Sequence, residues 1–241
     1  MSVFFAFFVL SVTPFFDPVR SPILPSSVEN TARDRGSYSE WVRPLPHLLL
    51  WAAGLRAAET QATAEERTAL ARYAHGRTPI VEIGVWHGVT TAALRRAMRD
   101  GGVLWAVDPF PAGRLGFSLQ KPIAEAEVGR VRNGTVRWLR TTGQAAASEF
   151  EREQREPVAL IFIDGDHSYE GLTADWFAWK PLVAPGGLVC LHDSRSTPAR
   201  DIGTAGSVRA TNEIVLQDPD FELLEQIDSL TVVRRRIFPS A

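Results

Sequence analysis

The chain has 241 residues, of which 45% are hydrophobic and 22% are charged, so we expect one domain with a full core and exclude global disorder. The chain has 26 basic and 28 acidic residues, and its net charge of −2 argues against a nucleic-acid partner. The one cysteine, Cys190, excludes an internal disulfide, and its apolar neighbours predict a buried thiol.

The N-terminal region joins an apolar run over residues 3–10 to a proline-rich, irregular linker over residues 13–36. The run is shorter than the about 20 residues of a membrane-spanning helix. No lysine or arginine precedes Arg20, although a signal peptide begins with positive charge. Three interpretations of residues 1–20 stay open: a segment that packs on the domain, a translated upstream stretch with little structure, and an export or membrane signal.

The rest of the chain is interpreted as a single domain, residues 37–241, that follows an N-terminal extension, residues 1–36. The domain begins with a helical cap over about 37–76. Residues 37–55, rich in tryptophan, leucine and proline, would form a lid or a dimer contact, and these two roles are not separated by the sequence. We expect a cytoplasmic location and no stable membrane insertion.

The predicted elements alternate between helices and strands. Thr63 and Glu66 form a capping-box pattern that predicts a helix to about His75, ended by Gly76. Apolar runs predict strands at 79–85, 103–108, 136–140, 158–163 and 188–192. Helices are expected at 90–98, 119–131, 144–154 and 172–179, with the Pro-Gly-Gly segment 185–187 ending the last one. A helix near 207–216 and strands near 221–227 and 230–237 close the chain.

This alternation predicts an α/β fold with a parallel sheet that is covered on both faces. The last two strands are joined by a tight turn at about Asp228–Ser229, so they must form an antiparallel hairpin. We therefore predict a Rossmann-like, doubly wound, mostly parallel seven-stranded sheet with a C-terminal antiparallel hairpin. Ligands of such sheets bind at the carboxyl ends of the strands, so the residues after each strand are the candidate site.

The first two strands end in residues that suit a small charged ligand. Gly84 and Gly88 let the backbone approach a ligand closely, and the helix that follows attracts negative charge. Glu82, inside an apolar strand, needs a partner such as a cationic ligand group, a nearby arginine or a backbone amide. Asp108 is placed to accept both hydroxyls of a ribose. The pattern G-x-G-x-x-G is absent, which disfavours a nicotinamide cofactor.

The fourth and fifth strands end in acids and histidines. If these strands are neighbours, Asp164, Asp193 and His192 meet at one edge of the sheet and could hold a divalent cation such as magnesium. His167 is a candidate general base, because an imidazole takes up a proton near neutral pH. A hydrogen-bonded, purely structural role stays the alternative for both histidines.

Five segments together resemble class I S-adenosylmethionine-dependent methyltransferases, and more narrowly the small-molecule O-methyltransferases of the methyltransferase domain 24 branch. They are Val81–Gly88, Ala106–Asp108, Phe162–Gly171, Leu182–Gly187 and Leu191–Asp193. The resemblance covers roughly residues 60–237.

The resemblance implies that Glu82 and the loop from Gly84 to Gly88 hold the methionine part of the cofactor and that Asp108 binds its ribose. It further implies that Gly143 and Gln144 flank the adenine.

For the reaction centre, it implies that Asp164 lies at the cofactor and that Asp164 and Asp193 bind magnesium, with His192 beside them. His167 stands where relatives often carry a lysine base, and Ser194 where some carry an asparagine ligand.

The function expected is methyl transfer from S-adenosylmethionine to a hydroxyl of a small molecule, such as a natural product or a sugar, with magnesium assistance left open. The alternatives are a non-catalytic relative that binds the cofactor and an NAD-dependent oxidoreductase. The acceptor pocket would be built from about 37–60, 110–120 and 195–206. Whether the chain forms a homo-oligomer stays open.

Overall fold

A computed structural model describes residues 44–113 and 115–237, which belong to the second of two units in the chain, residues 41–241. The interpretations of residues 1–36 and of the first part of the cap lie outside the described residues. None of the helices within the described ranges combines the length and apolar character that a membrane crossing requires.

The described elements follow the predicted alternation. The strands are β1 (Ile80–Ile83), β2 (Val103–Val107), β3 (Thr135–Leu139), β4 (Val158–Ile163), β5 (Val183–Leu191), β6 (Phe221–Ile227) and β7 (Leu230–Arg235). The helices are α1 (Pro44–Ala52), α2 (Ala64–Ala74), α3 (Val89–Ala97), α4 (Lys121–Gly129), α5 (Gly143–Glu153), α6 (Tyr169–Trp179) and α7 (Gly206–Ala210). A 3₁₀ turn over Lys180–Leu182 follows α6, and a π-helical turn over Thr211–Val215 follows α7.

The strands form one seven-stranded sheet in the order β3-β2-β1-β4-β5-β7-β6. The first five strands in this order are parallel, and β7 runs antiparallel to both β5 and β6. The predicted fold, including the adjacency of β4 and β5 and the C-terminal hairpin, is confirmed. The strand order changes direction between β1 and β4, which is where ligands of such sheets bind.

Helices pack on both faces because the buried strands present apolar side chains to each face in turn. Val81 and Ile83 of β1 join the cluster that contains residues of α5 and α6, whereas Ile80 joins the cluster with residues of α2 and α3. Cys190 is fully buried in the second cluster, as the sequence predicts.

Two predicted boundaries differ from the structure. Helix α6 begins at Tyr169, because Ser168 caps it by accepting a hydrogen bond from the Gly171 N–H. The segment 185–187 does not end that helix but lies within β5. There Pro185 removes an N–H and Gly186 has φ of +75°, and the pairing with β4 shifts register instead of ending.

The parallel register brings the strand ends together. Ile83 pairs with both Val107 and Ile163, and Ile163 also pairs with Leu191. The residues that follow these positions therefore stand side by side at the carboxyl edge of the sheet.

Candidate functional site

A cavity of about 700 Å³ opens at this edge of the sheet. Residues after β1 through β5 form its wall, and the connection between α1 and α2 contributes residues 59–61. Of the predicted site residues, the wall includes Gly84, Asp108, Gly143, Gln144, Asp164, His167 and Asp193. The predicted site is therefore brought together almost entirely, with Glu82, Gly88 and His192 lying behind the wall.

The loop after β1 depends on its two glycines. Gly84 has φ of +90°, and a Cβ there would collide with the carbonyl group of Asp164 at the end of β4. Gly88 has φ of +75° and precedes α3, where a Cβ would press on the backbone of Ala124 in α4. Gly84 thus places backbone at the cavity, whereas Gly88 shapes the start of the helix and does not line the cavity.

Asp108 fixes the conformation of this loop. Its Oδ2 accepts hydrogen bonds from the N–H groups of Val85 and Trp86, both at 3.0 Å. Its Oδ1 accepts a third from the Phe110 N–H at 2.6 Å. A carboxylate has about four acceptor positions, so one remains for a ligand hydroxyl at the cavity wall. The ribose-binding role stays a prediction, and Asp108 has the additional role of holding the loop.

Glu82 does not reach the cavity and is completely buried. Its Oε1 accepts a hydrogen bond from Thr90 Oγ1 at 2.5 Å, while Oε2 has no partner among the described residues. Burial raises the pKa of this carboxyl to about 8, against the lowering effect of Thr90 and Thr91. Glu82 faces α3 behind the loop, and its predicted role in holding the cofactor stays a prediction.

The adenine end predicted from the resemblance includes an acid that the sequence did not single out. Gly143 begins α5 and lies so close to Asp175 of α6 that a Cβ would collide with its carboxylate. Burial and, next, Asp166 raise the pKa of Asp175 to about 6. The one indication of Asp175 in the sequence is that it is an acid among the apolar residues of α6.

His167 lies in the cavity wall between two carboxylates. Its Nε2 is 3.3 Å from Asp164 Oδ1, and its Nδ1 is 3.2 Å from Asp193 Oδ2. Burial alone would lower the pKa of His167, but the two acids outweigh it and raise the pKa to about 9. The ring is one-third exposed to the cavity, so it can exchange a proton with a bound molecule.

His192 lies behind the wall and is held by acids on both sides. Its Nδ1 is 2.8 Å from Asp164 Oδ1, and its Nε2 is 3.3 Å from Glu66 Oε2. Burial would lower the pKa of His192, but Asp164 and Glu66 raise it to about 10. Glu66 was predicted only as part of a helix cap, because nothing local in the sequence indicates its contact with His192.

The acids of the predicted magnesium site lie beside cationic side chains. Both ring nitrogens of His192 face carboxylates, and the charges of Asp164 and Asp193 are matched by His167, His192 and Arg200. The atoms that come within 4.8 Å of one another are one oxygen, from Asp164, and two imidazole nitrogens. Magnesium prefers oxygen ligands, so this set of donors does not favour it, and magnesium assistance stays an untested prediction.

Arg200, in the loop 195–206, contributes a positive charge to the cavity that the sequence did not single out. Its Nη1 lies 2.5 Å from Asp193 Oδ1. Together with His167 and His192, it lowers the pKa of Asp193 to about 2, although burial would raise it. Ser194 points away from the cavity and donates to the Ser229 carbonyl and to Thr231 Oγ1.

Three stacked rings back the loop after β1. His87 stacks on Trp86 and on His47 of α1, with ring centroids 4.6 and 4.7 Å apart. Both imidazoles are buried, and the His87 Nδ1 accepts the Glu59 N–H at 3.2 Å. Metal ligands bind in the plane of an imidazole ring, so rings that are parallel to within 8° do not converge on one ion. The stack instead attaches α1 to the loop.

Comparison with known proteins finds a matching domain and a shared fold. Residues 81–194 match the family described as a methyltransferase domain. A solved protein from Corynebacterium glutamicum is 20% identical, with a TM-score of 0.57, over 85% of this chain and 95% of that one. The O-methyltransferase from Bacillus cereus in complex with SAH is 20% identical, with a TM-score of 0.53, over 80% and 90%. The O-methyltransferase TomG from Streptomyces achromogenes, in complex with SAM, is 16% identical, with a TM-score of 0.54, over 80% and 90%. At these identities, the solved structures show a shared fold.

Proposed function

We propose that this chain, which is a class I S-adenosylmethionine-dependent methyltransferase by its sheet and by the domain matched in it, transfers the methyl group to a hydroxyl of a small molecule. The observation that carries the acceptor class is the position of His167. It lies in the wall of the cavity that the glycine loop also lines, between the carboxylates of Asp164 and Asp193, and its ring is partly exposed to the cavity. A hydroxyl needs a base to remove its proton, and an imidazole is suited to this task.

The cavity suits a cationic cofactor. Its wall carries six carboxylates, from Glu59, Asp108, Asp164, Asp166, Asp175 and Asp193, against the cationic side chains of His167 and Arg200. The loop from Gly84, Asp108 and the pair Gly143–Gln144 would hold the cofactor along the strand ends. When bound, S-adenosylmethionine supplies a methyl group that is already activated by its sulfonium.

The protein then has to position the acceptor and move one proton. His167 in its neutral form accepts the proton of the acceptor hydroxyl, and Asp164 and Asp193 orient the ring and stabilise the imidazolium that results. Holding the hydroxyl in line with the methyl group accounts for most of the remaining rate. Glu59, Gln61 and Trp86 also line the cavity, and we assign to them the exclusion of water and contact with the acceptor.

The first test is calorimetric titration with S-adenosylmethionine, with NAD beside it. We expect micromolar binding of the first and none of the second. Binding of NAD alone would replace the proposal with the oxidoreductase alternative, and binding of neither by folded protein would contradict cofactor use.

The second test measures transfer of a labelled methyl group to a panel of hydroxylated small molecules, sugars included. A methylated oxygen supports the proposal, whereas binding without transfer to any compound favours a non-catalytic relative.

Magnesium assistance is tested in the same assay. Because the acids at the strand ends are matched by cationic side chains, we expect transfer to continue in EDTA. A rate that falls in EDTA and returns with magnesium would contradict a metal-free centre. A cytoplasmic location and the absence of a nucleic-acid partner stay predictions.

A further inference from the structure

Glu66 is a buried carboxylate outside the cavity whose burial a helix cap does not explain. It is the third residue of α2, and its Oε2 accepts the Thr63 N–H at 2.8 Å, as expected for a capping box. Such a cap works equally well at the surface, yet Glu66 is 0% exposed. A buried carboxylate is costly unless all its acceptor positions are used, so its other partners matter.

Those partners come from two distant parts of the chain. Oε1 accepts hydrogen bonds from the N–H and the hydroxyl of Ser229, at 2.9 and 2.7 Å, in the turn between β6 and β7. Oε2 lies 3.3 Å from Nε2 of His192, the residue that directly follows β5. Glu66 thus joins α2 and the C-terminal hairpin to the strand end that borders the cavity.

His192 transmits this contact to the cavity. The ring is buried, and its other nitrogen, Nδ1, lies 2.8 Å from Asp164 Oδ1. Both ring nitrogens face carboxylate oxygens, and both contacts are favourable only if each nitrogen carries a proton. Among the described residues, Nε2 makes no hydrogen bond, so its contact with the Glu66 carboxylate is an ion pair at 3.3 Å that no other group replaces. Without this carboxylate, the doubly protonated ring would lose one of its two stabilising contacts, and its charge-assisted hydrogen bond to Asp164 would weaken.

Asp164 is the point at which the buried contacts meet the reaction centre. The same oxygen, Oδ1, lies near both His192 Nδ1 and His167 Nε2, at 2.8 and 3.3 Å. The carboxylate lines the cavity, and His192 does not. His192 therefore fixes the orientation in which Asp164 meets His167.

We propose that Glu66 is a positioning residue for the methyl transfer, acting through His192 to hold Asp164 against His167. The proposal rests on the proposed function for the transfer itself. If Glu66 were only a helix cap, its replacement would affect folding alone. As a positioning residue, it affects the rate of transfer as well.

The test compares Glu66→Gln with Thr63→Ala. The first keeps the size of the side chain and an oxygen for the cap but removes the charge that faces His192. The second removes the threonine half of the same capping box and leaves that charge in place. With an acceptor found in the panel, we expect Glu66→Gln to lower kcat at least tenfold while the KM of the acceptor and the Kd of S-adenosylmethionine change less than threefold. Thr63→Ala should lower the Tm and leave kcat within twofold of the wild type.

A double variant separates action through His192 from a direct effect. If Glu66 acts through the ring, His192→Asn lowers kcat and adding Glu66→Gln lowers it little further. If the double variant instead shows the product of the two losses in kcat, Glu66 does not act through His192. A wild-type kcat in Glu66→Gln would likewise overturn the proposed route, since Glu66 would then be a structural cap only.

Proton NMR of the ring gives a readout that needs neither an acceptor nor a folded Glu66 variant. At pH 7, wild-type protein should show two slowly exchanging ring N–H signals from His192, identified by their absence in His192→Asn. One such signal, or none, would overturn the proposal even if Glu66→Gln failed to fold. Wild-type protein that shows both signals but methylates nothing would contradict the proposed function and leave the Glu66 contact standing.

Discussion

The single residue His167 sets the pH at which the proposed transfer proceeds. Its pKa is raised to about 9 by Asp164 and Asp193, in spite of burial, so the neutral ring that can accept a proton makes up about 1% of the protein at pH 7. We therefore expect the rate at saturating substrates to rise up to about tenfold per pH unit above pH 7 and to level off near pH 9.

His167→Gln is the matching variant for that profile. A glutamine keeps polar atoms near both acids but has no proton to exchange in this range. The expected result is a loss of at least 100-fold in rate at pH 9, because general base catalysis contributes about 10²–10⁴-fold. Equal pH profiles in the two proteins, measured by labelled-methyl transfer, would assign the slope to another group.

Asp108 combines a ligand position with a structural one. Three backbone N–H groups point at its oxygens, so Asp108→Asn would turn an amide donor toward some of them and loosen the loop after β1. We expect the Kd of S-adenosylmethionine to rise about 10–100-fold, which corresponds to about 1.4–2.8 kcal/mol. Calorimetry measures this, with Asp100→Asn in an exposed turn as the control that should keep the wild-type Kd.

Among the single residues of the site, the sequence predicts those that come directly after a strand. Asp164, His167 and Asp193 could be found this way, because parallel strands end at one edge. Glu66 could not, since its partner His192 is remote in the sequence and is brought near only by the packed fold. Arg200 could not either, because it lies in an irregular loop whose return to Asp193 no local pattern indicates. The magnesium prediction has the same weakness, because it considers the acids without the cationic side chains that lie beside them.

At the scale of elements, the junction between β1 and β4 limits what the first loop can contain. An alanine at Gly84 would need φ of +90° and would place its Cβ against the carbonyl of Asp164. We expect Gly84→Ala to lower the free energy of unfolding by about 1–3 kcal/mol, since overpacking and a disfavoured φ add up.

Gly129→Ala is a suitable control for this variant. It ends α4, and a Cβ there meets no atom within 4 Å. Urea unfolding should therefore separate the two variants clearly, with Gly129→Ala within about 0.5 kcal/mol of the wild type. Equal stability of Gly84→Ala and the wild type would show that the loop can move away from β4.

Element boundaries were predictable where a hydrophobic run ends at turn residues. Strand β4 matches its predicted range, and α2 has the predicted cap. The segment 185–187 misled the prediction because proline and glycine interrupt a strand as well as end a helix. Local composition does not distinguish the two, and only the pairing of β5 with β4 and β7 decides it.

For the whole molecule, alternation of strands and helices was enough to predict the sheet, its direction and its closing hairpin. The alternation does not specify which charged side chains of remote elements come into contact. The contact of α2 with the end of β5 is such a case: a buried ion pair between Glu66 and His192 links the helix to the sheet. Its effect is expected in the pH dependence of global stability.

The sign of that dependence follows from the raised pKa of His192. The folded protein holds a proton on this ring up to about pH 10, whereas the unfolded chain releases it near 6.5. The stabilisation from His192 is thus complete below pH 6.5 and is lost as the pH rises toward 10. We expect the stability difference between the wild type and His192→Asn to be constant below about pH 6.5 and to shrink by up to about 1.4 kcal/mol per pH unit above it. His75→Asn, at an exposed helix end, should leave the wild-type profile unchanged. Urea unfolding at pH 6 and pH 8.5 decides it. A constant difference between these values would mean that the pKa of His192 is the same in the folded and unfolded protein, and a difference that grows would mean that the ring is neutral in the folded protein.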